Sequence, residues 1–379
     1  MRDVDENNKV TIQISQAFFF SHRNITQSSR THLKQISTMA IQEMGTSAEQ
    51  EAKISTIVSC YPHDPSLRSL VFVPRFRQRL SVFSAWSIPS GSKVLDIGCG
   101  QGDSTVCLAV ELGPDSHVTG IDPAPADYGT PLNVGQAQER ILKSSLGDRL
   151  SFYNQVDAAT FFQLESGGKG VKFDAATCCH CLFYFPTSSA VTSLFTELAA
   201  AGVPKVYVAE YDMNPENASL PIVQTPHILA AKAQALYHAN RYEADSVYTI
   251  KERLDHQPLN VRAAPDVESI TRAAQAAGFR VGRQGRLTPT EDYQEGHFET
   301  WYVKSPNFVE RLQEERFKKE REEEIMAVVE EVKVAWEEME KSGVEIVRCM
   351  DVWWAVFELG DVDGSAGNGM GQWEVTLSL

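Results

Sequence analysis

Positive charge is in short supply. The 379 residues carry 35 Lys and Arg against 50 Asp and Glu, a formal net charge of −15. A chain this acidic has little from which to build the basic face that nucleic-acid phosphates require, so no nucleic-acid partner is expected. Long apolar runs are missing too. None approaches the roughly 20 residues needed to span a bilayer, which argues against a membrane partner. The run Ala17-Phe18-Phe19-Phe20 is too short and too polar in its flanks for a secretory signal. Without one, the Asn24-Ile25-Thr26 triplet reads as a chance glycosylation match. A disulfide framework is absent: the seven cysteines are odd in number and irregular in spacing, which points to a reducing, cytoplasmic compartment. Three of them fall in Cys178-Cys179-His180-Cys181. Structural zinc sites space their ligands in pairs, and these four would alternate between the faces of a strand, so no metal is expected. There is no internal repeat. Hydrophobic residues at 42% and charged residues at 22% suit an ordinary buried core in one large domain with insertions or two small ones.

What is present centres on Val94 to Asp103. Val94-Leu95-Asp96-Ile97 reads as a short buried strand. Gly98, Gly100 and Gly102 follow in a turn where backbone can approach a ligand closely, and from Ser104 the apolar spacing becomes helical. Strand, glycine turn and helix start form the first unit of a nucleotide-binding α/β sheet. A dinucleotide site or a purely structural turn would share much of this pattern. Asp96, however, stands two residues before the first glycine. Its charge is awkward for a diphosphate and suits a ligand bearing an ammonium and a sulfonium. A second strand, His117 to Asp122, ends in an acid about twenty residues beyond the turn, where a carboxylate can accept both hydroxyls of a ribose.

Asp96, Gly98, Gly100 and Gly102 resemble the D/E-x-G-x-G-x-G motif of the class I S-adenosylmethionine (SAM)-dependent methyltransferases, without a gap. The resemblance covers about 91–212 well and 266–282 in outline. It implies an α/β, Rossmann-like seven-stranded sheet with helices on both faces and a helical cap. It also implies SAM as cofactor, with Asp96 at the methionine end, Gly98, Gly100, Gln101 and Gly102 in the turn, and Asp122 at the ribose. Asp157 and Ala158, after the third strand, match loosely the acid and small residue found beside the adenine. Helix capping by Asp157 is the rival reading.

The remaining chain divides into an N-terminal helical cap (1–86), the core (87–214), a cap insertion (215–264), core again (265–288), an insertion with a long charged helix (289–343), and the last strand with a glycine-rich tail (344–379). Residues 67–86 read as helix, broken or restarted by Pro74. Arg75, Arg77 and Arg79 fall largely off its apolar stripe, on a solvated face or in reach of a ligand carboxylate. His180 ends the fourth strand (171–181), as a substrate-facing base or as a histidine satisfied in the core. Glu210 ends the fifth strand, to orient substrate, to pair with His180, or as a solvated strand-end acid. His227 falls in the first turn of a helix opened by Thr225-Pro226, with Tyr237 further along. Ser305-Pro306 open a helix running to Gly343. Its apolar face from Ile325 to Met339 packs on the body or on a second copy in a homodimer.

The glycine turn, Asp127-Tyr128-Gly129, the stretch from His180 to Phe185 and Ala209-Glu210 resemble, more narrowly, fungal small-molecule methyltransferases of secondary metabolism. The expected activity is methyl transfer to a hydroxyl or amine of a natural-product-like small molecule, with His180 as base and Glu210 and His227 behind it. The alternatives are a protein of this fold that catalyses a cyclisation or elimination, and a regulatory binding protein whose charged helix recruits a partner.

Overall fold

A computed structural model describes residues 48–129, 132–166, 172–244, 261–315 and 317–360. Seven strands form one sheet in the order β3-β2-β1-β4-β5-β7-β6. They are β1 (Lys93–Ile97), β2 (His117–Asp122), β3 (Leu150–Asn154), β4 (Ala175–Cys179), β5 (Lys205–Tyr211), β6 (Phe279–Leu287) and β7 (Val352–Leu359). The first five are mutually parallel, and β7 lies antiparallel between β5 and β6. This is the expected Rossmann-like sheet, with its antiparallel strand supplied by the last segment of the chain.

Central strands are buried on both faces, which is why β4 is a run of small residues and β1 is apolar apart from Lys93 at its exposed start and the buried Asp96. One face is covered by α1 (Ala48–Cys60), α2 (Val73–Trp86) and α3 (Asp103–Leu112). α4 (Val134–Leu142) starts at an Asn133/Gln136 capping box. The other face is covered by α5 (Ala158–Ser166), α6 (Ser188–Ala200) and α8 (Val267–Ala276). From β1 the chain steps outward to β2 and β3, then returns to place β4 on the opposite side. That reversal opens a crevice at the carboxyl ends of β1 and β4, where open α/β sheets hold ligands.

A separate apolar cluster builds a lobe over this crevice. It joins α7 (Pro221–Ala244), α9 (Glu295–Lys304), α10 (Pro306–Glu314) and α11 (Lys319–Lys341) around Tyr237, Phe308, Val329 and their neighbours. The apolar face of α11 is thus spent within the chain, against α7. Tyr237 is core here, its hydroxyl donating to Glu315 at 2.5 Å, and takes no part in the crevice.

Three helix readings need correction. The helix expected from Ser305 to Gly343 is two helices separated at 315–318, where Lys318 is extended. The break lets Phe308 and Leu312 on one side, and Ile325 and Val328 on the other, reach the same cluster. α7 begins at Pro221, more than a turn before Thr225-Pro226, and carries Pro226 inside it. Pro226 cannot donate to the carbonyl of Ile222, but Ile222 is 59% exposed, so water can serve that carbonyl. α2 does restart at Pro74, after a single π turn at Arg68–Phe72. Its arginines are not all solvated: Arg75 and Arg79 are buried. The first 47 residues of the expected N-terminal cap and the glycine-rich tail from 361 lie outside the described residues.

Candidate active site

β1 delivers the chain into the glycine turn, and the turn closes over the end of β2. Gly98 and Cys99 donate backbone hydrogen bonds to Ile121 O at 2.9 and 3.1 Å. Gly98 has φ +68°, and a Cβ there would lie 2.7 Å from Cys181 Cβ, so both backbone and space require glycine. Gly100 has φ +51°, and a Cβ added there would meet no atom within 4 Å, so its empty side faces the crevice. Gly102 caps α3 in the left-handed region. Gln101 is tied to Tyr61 Oη and Leu132 O. Gly98, Gly100, Gln101 and Asp122 line a cavity of about 220 Å³, whereas Gly102 faces Ile141 and Phe152 and does not.

Asp122 lies at its edge. Oδ2 accepts from Gly100 N at 2.7 Å and Oδ1 from Ala124 N at 2.8 Å, which aims the carboxylate into the cavity with acceptor capacity left. Burial raises its pKa against those two bonds. Asp96 is placed differently from its expected role. It is fully buried under the turn and does not line the cavity. Its Oδ2 accepts from Ser104 Oγ and Thr105 Oγ1, both at 2.7 Å, and its Oδ1 from Thr177 Oγ1 at 3.0 Å. It braces the start of α3 against β4. Burial outweighs the three hydroxyls and lifts its pKa to about 6. Asp157 is exposed and caps α5, accepting from Thr160 N at 2.8 Å, while Ala158 is packed in the core. Neither lines the cavity, so capping is the role the structure assigns to Asp157.

Next to β1, β4 stops at Cys179 and His180 takes φ +53°. That turn is pinned by His180 N donating to Ala209 O at 2.8 Å. His180 is 7% exposed and lines the cavity, with both ring nitrogens unpartnered among the described residues. Glu210 comes up beside it on β5. Oε2 accepts from Leu182 N and Phe183 N at 2.7 and 3.1 Å. Oε1 has no hydrogen bond among the described residues and stands 3.5 Å from His180 Nδ1. The Tyr211 ring flanks His180 at 4.7 Å. His227 does not face the cavity as expected; it is fully buried behind Glu299.

Some wall residues were not singled out from sequence, and Arg75 and Arg79 were read only as solvated or in reach of a ligand carboxylate. Glu295 and Glu299, one turn apart on α9, and Tyr184 line the cavity. Arg75 and Arg79, also one turn apart, face it from α2. Arg79 donates to Asp103 Oδ2 through Nε at 3.0 Å and Nη2 at 2.7 Å, and Arg75 Nε to Glu295 Oε1 at 2.7 Å. Burial would raise both acids, but the guanidiniums hold Asp103 and Glu295 below the usual carboxylate range. The i, i+4 spacing was the available signal, and only the fold shows that these two stripes meet. Burial pushes the Cys179 thiol up to about 12 and Cys99 well above its ordinary value, so these cavity thiols stay protonated.

A methyltransferase domain family matches residues 94–204. Methyltransferase phomM of Diaporthe leptostromiformis is 41% identical over 348 residues, covering 80% of this chain and 89% of the relative. Methyltransferase phomM' of the same organism is 40% identical over the same shares. The chain belongs to the class I SAM-dependent methyltransferases. A cyclopropane-fatty-acyl-phospholipid synthase-like protein from Lactobacillus casei shares this methyltransferase's fold, with a TM-score of 0.63 at 24% identity, covering 82% of this chain and all of that one. SAM is the methyltransferase's cofactor, and the residues present fit it. The open side of Gly100 and the spare acceptor capacity of Asp122 form a cradle on the cavity wall, and His180 lines the same cavity with Glu210 beside it. Among the described residues, no group of side chains could hold a metal ion, and no helix is long and apolar enough to cross a membrane.

Proposed function

We propose that this methyltransferase methylates an amine or hydroxyl of a small, natural-product-like acceptor, and that His180 takes the acceptor's proton. The observation that carries the reading is the His180–Glu210 pair: His180 lines the cavity that the glycine turn also lines, Glu210 Oε1 stands 3.5 Å from its Nδ1, and neither ring nitrogen nor Oε1 has a hydrogen bond among the described residues. SAM, when bound, supplies an electrophilic methyl. Gly98, Gly100, Gln101 and Gly102 admit it to close backbone contact, and Asp122 accepts from its ribose. Glu210, fixed by two backbone N–H groups, orients His180 through Nδ1 and leaves Nε2 to accept a proton from the acceptor. Asp96 serves the cofactor indirectly, by holding the turn in shape. The rest of the protein's work is to align acceptor and methyl group and to exclude water.

The acceptor side favours an amine over a hydroxyl. Arg79 is countered by Asp103 and Arg75 by Glu295, but among the described residues Glu299 is joined to no lysine or arginine. A carboxylate there with no Lys or Arg on it suits an acceptor that arrives as an ammonium. Arg262 is a further cation on the wall, and its backbone N–H donates to Phe183 O. The seven cysteines are all free and buried, which supports a reducing, cytoplasmic setting, and the net charge of −15 supports a partner other than nucleic acid. The test is methyl transfer from radiolabelled SAM to a panel of small amines and phenols. Turnover that His180→Ala abolishes while SAM still binds supports the reading. Full turnover in that variant refutes the role of His180.

A further inference from the structure

We propose, building on the methyl-transfer reading above, that Glu299 grips the acceptor and that His227 is the positioning residue that holds Glu299 in place. The two glutamates of α9 both line the cavity, but they differ in what is left to offer. Glu295 is used up: Arg75 Nε holds Oε1 at 2.7 Å, and Tyr293 Oη donates to Oε2 at 2.5 Å. Tyr293 Oη itself lies 3.2 Å from Tyr211 Oη. Glu299 has its Oε2 3.1 Å from Nε2 of His227, and no cation of Lys or Arg beside it among the described residues.

The His227 ring is built to stay where it is. It is completely buried. Nδ1 accepts the backbone N–H of Met350 at 3.0 Å, so the ring hydrogen sits on Nε2 and is donated to Glu299. α9 lies flat against the imidazole at Gly296, where an added Cβ would fall 2.5 Å from Nδ1. The Tyr211 ring meets it edge-on at 5.2 Å. A glutamate with three rotatable bonds is therefore met by a donor that cannot move. That selects one orientation of the carboxylate before any acceptor arrives, which removes part of the ordering cost of binding. His180, nine-tenths buried and with no hydrogen bond on either ring nitrogen among the described residues, lines the same cavity, so an ammonium gripped by Glu299 would find a proton acceptor on its wall. The other charged or titratable groups around the cavity include Glu210, Tyr184, Tyr211, Cys349, Arg79 and Arg262.

The test is calorimetric titration of the full chain, loaded with S-adenosylhomocysteine, using phenethylammonium as the cationic probe and 2-phenylethanol as its uncharged counterpart. The wild type is expected to prefer the ammonium by about tenfold or more, the size of one charge-assisted hydrogen bond. Glu299→Gln should abolish the preference. His227→Phe should do the same, and His227→Gln, whose amide N–H can still reach Glu299, should restore most of it. SAM affinity should stay unchanged in all three. Equal or absent binding of the two probes by the wild type overturns the proposal, as does a preference that survives Glu299→Gln or His227→Phe. If His227→Phe does not fold, nitrogen NMR of the wild-type ring decides, and a hydrogen found on Nδ1 overturns the positioning role. Wild-type protein that fails to bind SAM would sink the methyl-transfer reading itself. Protein that binds SAM without an ammonium preference sinks only the role of Glu299 and His227.

Discussion

Replacing Asp96 by asparagine tests the reassignment of the motif's acid from ligand to internal brace. The carboxylate is fully buried and accepts three hydroxyl hydrogen bonds. Burial nevertheless dominates, and its pKa rises from 3.8 to about 6. The folded-state pKa thus lies above the unfolded one. Its contribution to stability is complete below the unfolded pKa and is lost as pH rises through about 6. A gap of about 2 pKa units corresponds to about 3 kcal/mol over the full range. Between pH 7.5 and pH 5.5 the linkage relation leaves about 0.8 kcal/mol of it. Asparagine has no proton to gain, and every other titrating group is common to both proteins. In urea unfolding followed by tryptophan fluorescence, the wild type should therefore gain about 0.8 kcal/mol on Asp96→Asn when pH falls from 7.5 to 5.5. Parallel pH dependences would refute the buried, charge-disfavoured carboxylate. Calorimetry with SAM adds the functional half. A brace predicts affinity within about threefold of wild type, whereas losing a direct bond to the cofactor's ammonium would cost tenfold or more.

Asp122→Asn should weaken SAM binding by about 10- to 100-fold, the range of one or two hydrogen bonds to a charged acceptor, and unchanged calorimetric affinity would remove Asp122 from the site. His180→Ala should lower turnover by about 10²- to 10⁴-fold with SAM affinity intact. His180→Gly should melt no lower than His180→Ala, because φ +53° suits glycine better, and a lower midpoint would contradict the strained turn. Gly98→Ala meets both a left-handed φ and a contact 2.7 Å from Cys181 Cβ. It should cost about 2–4 kcal/mol in thermal or urea melts and abolish SAM binding, and near-normal stability would show that the turn can yield.

Much of the fold was legible because its signals are local. A strand, glycines in the left-handed region and a helix start are all specified by residues within ten positions, and Asp122 closes the unit from the next strand. Helix starts were readable where a capping side chain announces them, as at Asp266, which accepts from Ser269 N at 2.7 Å. They misled where tertiary contacts overrode the rule, as at Pro226 inside α7 and at the break between α10 and α11. Asp157 shows the same limit in the site: one short residue type serves equally as ligand or as helix cap, and only its position outside the cavity separates the two.

By itself, the sequence determined the cofactor-binding unit and the order of elements, since backbone conformation and apolar spacing are properties of neighbouring residues. It also placed His180 and Glu210 at strand ends and left their pairing open as one of several roles for Glu210. The tertiary structure alone decided the acceptor side. Arg75, Arg79, Glu295, Glu299 and His227 are drawn from α2, α7 and α9, up to 224 positions apart in the chain, and nothing local marks them as partners. They meet because two apolar clusters, one under the sheet and one in the lobe, fix the helices that carry them. Once the helices are fixed, burial leaves each charge only the neighbours the packing provides, and those neighbours decide which carboxylate is saturated and which is left for the acceptor.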